Sequence, residues 1–206
     1  AASQQASGKL FPRDEFKLEK LRAMDANVRL RAARINTQRL PVDDMDAKLD
    51  LKAGMLTLNP LNFGVADGDI RSVIRMDARE KTIRTRADIN AKGLTLGKLM
   101  PKVKLGNNAI GKVSGDIDIA TTGNSIATML GNANGDADVG MGSGQISKLL
   151  MEMAAIDIAG IIKVKLTGDQ QIPIRCAFGD FAVKNGVMTP RALAFDTSET
   201  VITGTG

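Results

Sequence analysis

The chain has 206 residues, 28 Lys plus Arg against 23 Asp plus Glu, a formal net charge of +5, and no His, Trp or Tyr. Without an imidazole there is no His-based triad and no His-ligated metal, and a single cysteine excludes an intrachain disulfide framework. Six Phe, none beside a basic cluster, make a poor stacking platform for single-stranded nucleic acid, and no apolar run reaches the ~20 residues that span a bilayer.

The positive charge is uneven. Residues 1–104 hold 21 basic and 13 acidic side chains, and 105–206 hold 7 and 10. The basic residues alternate with aliphatic ones, as on a solvated sheet face. A basic lip near anionic lipid headgroups is the second reading.

In chain order, residues 1–9 read as a flexible polar lead and 10–206 as one β-rich domain with no shift in composition. DEFKLEKLRAM has the residues for a turn of helix. Val28 and Leu30 then alternate with Arg29 and Arg31, the period of a half-buried strand. Ala33 and Ile35 change parity, which predicts a bulge near residues 32–33. Ala47, Leu49 and Leu51 alternate with Lys48, Asp50 and Lys52 up to a turn at Ala53-Gly54. Leu56 and Leu58 lie on one parity and Leu61, Phe63 and Val65 on the other, with Pro60 at the crossover, where a sheet tolerates proline at a bulge or edge. Asp67-Gly68 is a two-residue hairpin signal. Ile70, Ile74 and Met76 follow opposite Arg71, Arg75 and Asp77. After a turn at Glu80-Lys81, Ile83, Ala87 and Ile89 oppose Arg84, Arg86 and Asp88, and LTLGKLM predicts a brief helix.

The stretch 111–166 departs from this rhythm. Val113, Gly115, Ile117 and Ile119 alternate with polar residues, Asn124-Ser125 caps a short helix over IATML that Gly131 ends, and Ala137, Val139 and Met141 resume the strand. From residues 145–147 onward, Ile146, Leu149, Leu150, Met153 and Ile156 fall at helical spacing. Ile174, Cys176 and Phe178 form another alternating run, with Cys176 read as a small buried apolar residue. A parity break at Gly179-Asp180 precedes Phe181 and Val183, and Asn185-Gly186 turns the chain into its last strands.

The fold class is therefore mainly β: a curved antiparallel sheet, U-shaped or a half-barrel, with two short helices inserted near its C-terminal part. About ten strands at ~4.8 Å make a sheet on the order of 48 Å wide, whereas a helix is only ~10–12 Å across. Two short helices leave much of the apolar face to find another cover. By parity that face carries Leu49, Leu51, Leu56, Leu58, Ile74, Met76, Ile83, Ile89, Ile117, Ile119, Val139 and Met141. Leu149, Leu150 and Met153 would cap one end. Aliphatic residues and ten Met dominate it. Such a surface suits acyl chains, and it equally suits a packed core closed by the helices.

No constellation points to catalysis, a cofactor or a metal. Asp116/Asp118 and Asp136/Asp138 fall on the polar parity and read as solvated. Gly93 to Lys98 approaches a phosphate loop but is one residue short and lacks the hydroxyl after Lys98. GMGSGQ at 140–145 fits a tight turn.

The order SGDIDIATTGNSIATMLGNANGDADVGMGSGQI, then a helix and a KNGV strand pair, resembles the C-terminal region of the AsmA family of bacterial envelope proteins. GKLFP, LRAMDANVRLRAARI and AGMLTLNPLNFGVADGDI resemble the same family, so the likeness covers nearly the whole chain. The resemblance implies an extended entry rather than a helix before the first strand, and a fragment truncated at both ends of a longer protein. It implies a non-enzymatic protein on the periplasmic side of the inner membrane, anchored by an upstream transmembrane helix. The implied activity is to shelter and conduct phospholipid or another acyl lipid in a greasy groove, supporting outer-membrane homeostasis. A structural module that docks an envelope protein partner is the alternative.

Overall fold

The computed structural model describes residues 12–37, 40–99, 109–147 and 170–206. Among the described residues three short helices accompany one antiparallel sheet. The helices are α1 (Leu18–Ala23), α2 (Leu96–Leu99) and α3 (Ile126–Gly131). The strands are β1 (Ala26–Ile35), β2 (Val42–Lys52), β3 (Met55–Val65), β4 (Gly68–Asp77), β5 (Arg84–Thr95), β6 (Ala109–Ile110), β7 (Lys112–Thr122), β8 (Asn134–Met141), β9 (Gly144–Ser147), β10 (Gln171–Lys184), β11 (Val187–Thr197) and β12 (Val201–Gly204). Ten of them pair in the order β1-β2-β3-β4-β5-β7-β8-β10-β11-β12, with β9 on β10 and β6 on β9. Strand order follows chain order, as short hairpin connections require. The sheet is open, with β1 and β12 as its edges, and the mainly β class read from alternation holds. Among the described residues no helix is long and apolar enough to cross a membrane.

Local sequence accounts for most of the turns. Ala53-Gly54 and Asn185-Gly186 both take positive φ at two consecutive residues, the backbone of a hairpin turn matched to strand twist. The turn after β3 falls on Ala66-Asp67, one residue earlier than Asp67-Gly68, because Val65 pairs directly with Gly68. Around Pro60 the register shifts between Leu58 and Leu61, so both leucines face the same side. This is the bulge that the parity change demanded.

Several expectations are corrected. The β1–β2 register keeps one offset from Ala26↔Leu51 to Ile35↔Val42, so no register shift, and hence no bulge, lies at residues 32–33. The irregularity sits between β2 and β3, where the register shifts between Asp43 and Asp46, and Asp44 there has φ 48. The segment before β1 is not simply extended. Leu18 and Leu21, three residues apart on one helix face, pack against the buried Ala78, Ile83 and Met129, and this contact favours the helix α1. Residues 145–147 form strand β9 rather than a helix start, since they pair with residues 171–173. Leu149, Leu150 and Met153 lie outside the described residues, as does the polar lead. Cys176 is exposed, its side chain being on the solvent side of β10.

Helix α3 has the cap expected of it. The Ser125 side chain accepts from the Thr128 amide (3.2 Å) while the Ser125 amide donates to Thr128 Oγ1 (3.0 Å), a reciprocal capping box. The helix runs through Gly131 and ends at Asn132. Its Met129 is buried with Ala78 and Ile83, and Phe16, Leu18, Leu21 and Met76 close around them. This small core sits at one end of the strands, over the turns, and not on the middle of the sheet.

Candidate functional site

In an antiparallel ladder, paired residues point to the same side, so registers can be followed across strands. One row runs Val28–Leu49–Leu58–Ile74–Ala87–Ile119 from β1 to β7. A second runs Ser72–Ile89–Ile117–Ala137–Phe181 from β4 to β10. A third runs Val113–Met141–Ala177–Phe195–Ile202 from β7 to β12. Together they make one apolar face that reaches from edge to edge. Bulges at Pro60, between Ala91 and Leu94, and between Asp180 and Phe181 keep aliphatic residues on it where simple alternation would have turned them over.

Leu51 is buried on this face, but most of its neighbours are only half-buried. Ile117 is 38% exposed, Val139 43% and Ile202 53%. Two recesses indent it. One, of about 380 Å³, is lined by Leu96, Val113, Met141, Phe181, Leu193 and Phe195. The other, of about 210 Å³, shares Val113, Val139 and Phe181 and extends to Ile89, Leu94 and Met188. The two therefore form one continuous trough. Phe181 lies over Gly179 beside Leu193, filling the gap left by a residue without a side chain.

Eleven of the twelve residues assigned by parity lie on this face: Leu49, Leu51, Leu56, Leu58, Ile74, Met76, Ile89, Ile117, Ile119, Val139 and Met141. Ile83 does not. It precedes β5, is 0% exposed, and belongs to the end core with Met129. Parity placed it with Ala87 and Ile89 because the alternation continues through the turn. Conversely, Phe181, Leu193, Phe195 and Ile202 line the larger of these two recesses and are not among the residues that parity assigns. The parity break at Gly179-Asp180 points to Phe181, but Val183 pairs with Met188 and simple alternation from there reaches Ala192 and Ala194; Leu193 and Phe195 come to this face only through the register shift between Asp180 and Phe181.

The opposite face is polar and paired across strands. Asp116 faces Asp138, and Asp118 faces Asp136, an arrangement that is unfavourable between like charges. Arg86 reaches Asp118 (3.1 Å), Asn90 donates to Asp116 (2.7 Å) and Arg191 pairs with Asp136 (2.6 Å), which offsets it. Arg191 also bridges to Asp180, so one guanidinium links β8, β10 and β11 and stays firmly protonated. Hydrogen bonding from Arg29 holds the Asp46 carboxyl below its usual range, and Lys98 does the same at Asp67. These exposed pairs stabilise little; they distinguish the wet face from the greasy one.

The firmest of these carboxylates is Asp77, at the end of β4. It accepts from Arg79 Nε (2.9 Å), Nη2 (2.7 Å) and the Arg79 amide (3.1 Å), and these bonds hold its carboxyl well below the ordinary range. A depressed pKa contributes stability in full above the unfolded value of about 3.9, and that contribution is lost as pH falls through the lower folded value. Asp77→Asn should therefore flatten the fall in stability between about pH 4 and pH 2, read by urea unfolding at each pH. An acid limb as steep as the parent's would mean that the bond is not kept in solution.

The fold and this face define an open, one-layer antiparallel sheet with a continuous apolar trough on one side. No solved structure matches the chain. The AsmA family model matches residues 1–193, and the chain belongs to the AsmA family. It is 38% identical over 205 residues to the AsmA family protein YhjG of Escherichia coli (strain K12), covering 99% of this chain and 30% of that protein. The chain thus spans about a third of the relative's length. Family membership supports an envelope-related role.

Proposed function

We propose that this chain is a periplasmic, lipid-binding segment of a longer envelope protein, one that shelters acyl chains along its trough and so lets phospholipid pass between membranes. A segment upstream would hold the whole protein at the inner membrane. The observation that carries this reading is the unbroken apolar face from β1 to β12, with side chains in its centre still about two-fifths exposed. A soluble protein does not leave a surface of that extent without an occupant. Each methylene that stays out of water retains about 0.8 kcal/mol, so a trough of aliphatic side chains removes most of the cost of moving an acyl chain. No bond is made or broken. Headgroups remain in solvent along the open side, and adaptable Met side chains fill gaps between chains of differing shape.

The test is native mass spectrometry of the purified chain, with organic extraction and lipid analysis of the same sample. Near-stoichiometric phospholipid is expected, and it should disappear in Ile117→Asp and Val139→Asp while the circular dichroism spectrum is unchanged. A lipid-free parent chain of undiminished thermal stability would overturn the reading and favour a module whose face docks an envelope protein.

A further inference from the structure

The trough has two flanks, at opposite ends of the strands, and they are built differently. On the first flank the N-terminal arm, residues 12–25, runs across three successive turns of the sheet. The Asp25 carboxylate accepts from the Ala53 amide (2.9 Å) at the β2–β3 turn. Arg22 donates through Nε to the Ala78 carbonyl (2.6 Å) and through its Nη2 to that of Glu80, at the β4–β5 turn. The Phe16 amide donates to the Asn124 carbonyl (2.7 Å), and the Pro12 carbonyl accepts from the Ala127 amide (3.0 Å), at the start of α3. Beneath these bonds Phe16, Leu18 and Leu21 pack on Ile83 and Met129, and Met76 of the apolar face joins them.

This flank is dry and closed. Ile83 is 0% exposed and Ala78 1%, and Arg22, Asp25 and the backbone of Phe16 and Pro12 are engaged by the turns that the arm crosses. The second flank is spanned by the short α2, held by Lys98 to Asp67 (2.6 Å) and by the Thr95 and Leu96 amides to the Ala66 and Gly111 carbonyls, and no cluster like that around Ile83 lies there among the described residues. There the larger recess opens between Leu96 of α2, Val113, Met141 and Phe195, and Ile202 on the edge strand is 53% exposed.

We infer that the arm and α3 are a side wall that orients the lipid: acyl termini lie against the Ile83 and Met129 flank, and headgroups leave on the α2 flank. The physical reason is asymmetric solvation. A charged or zwitterionic headgroup pressed into the closed flank would lose water against Ile83, Ala78 and Leu21, whose side chains offer it no hydrogen bond, a costly state. A terminal methyl group placed there stays dry. The inference rests on the proposed lipid reading of the trough and adds to it a fixed direction across the strands.

Photolabelling separates the two claims. The chain is loaded from phosphatidylethanolamine vesicles carrying a trace of either of two probes, one with a diazirine on the headgroup and one with it at the acyl terminus. Labelled peptides are then mapped by mass spectrometry. The acyl probe should mark peptides around Leu21, Met76 and Met129, and the headgroup probe those around Leu96 and Met141. A bias of about tenfold is expected, equivalent to keeping roughly two methylenes out of water. Equal labelling of both flanks by both probes, or headgroup label at Met129, would overturn the orientation while leaving the lipid reading intact. No label from either probe on a folded chain would remove the lipid reading itself, and the orientation with it.

Discussion

Replacing Gly135 with Ala is expected to destabilise the chain by about 3 kcal/mol, because the change combines a backbone strain with a collision that cannot relax. Gly135 has φ +146, which side chains rarely adopt, and a Cβ built on it would lie 2.0 Å from the Asp118 carbonyl oxygen of the paired strand. Gly115 answers it from the other side of the same pair, where an added Cβ would meet the Asp138 carbonyl oxygen at 2.2 Å. These two positions let β7 and β8 approach more closely than residues with side chains would permit. A glycine pair of this kind is how a sheet makes a tight bend. Both glycines lie on the trough face, since Gly115 pairs with Val139 and Gly135 with Ile119.

Thermal unfolding followed by circular dichroism should show Tm lowered by roughly 6–12 °C for Gly135→Ala, at about 2–4 °C per kcal/mol in a chain of this size. Gly131→Ala, at the last residue of α3, is the control. Nothing lies within 4 Å of its added Cβ, and a surface exchange of this kind changes stability by no more than about 0.5 kcal/mol. Should Gly135→Ala prove as benign as Gly131→Ala, the two strands do not approach so closely in solution.

These glycines also show where the sequence is legible and where it is not. Strand existence was readable because one side of the sheet is wet and the other greasy, so alternation survives in nearly every strand. Turns at Ala53-Gly54 and Asn185-Gly186 were readable because positive φ restricts the residue choice. The bulge at Pro60 announced itself through parity plus a proline. Gly115 and Gly135, by contrast, look like ordinary members of an alternating run, and only the register reveals what each would strike. The same holds for α1: its two apolar residues say nothing about the turns, 57 and more positions later, on which they pack. Residues 145–147 misled for a related reason. Helical spacing over a few apolar residues does not compete with a free strand edge nearby, and β10 supplied that edge. Cys176 misled because alternation assigns a residue to a face without saying whether the face is covered.

Ile83 carries the sharpest consequence of this difference between parity and packing. It shares its parity with Ala87 and Ile89, yet it is wholly buried in the end core, whereas Ile117 on the open face is 38% exposed. Ile83→Ala should cost about 3 kcal/mol, through lost burial and the cavity left among Ala78, Met129 and Leu21. Ile83→Asp should prevent folding, because no partner awaits a carboxylate there. Ile117→Asp should change stability by no more than about 1 kcal/mol, the range of strand propensity on an exposed surface, while abolishing lipid association. The same substitution thus separates scaffold from trough, with thermal unfolding and lipid extraction read on each variant. If Ile117→Asp unfolds the chain as Ile83→Asp does, the face is covered in solution and works as a packed core. If it folds and loses lipid, the half-exposure of Ile117 marks the surface that the acyl chains complete.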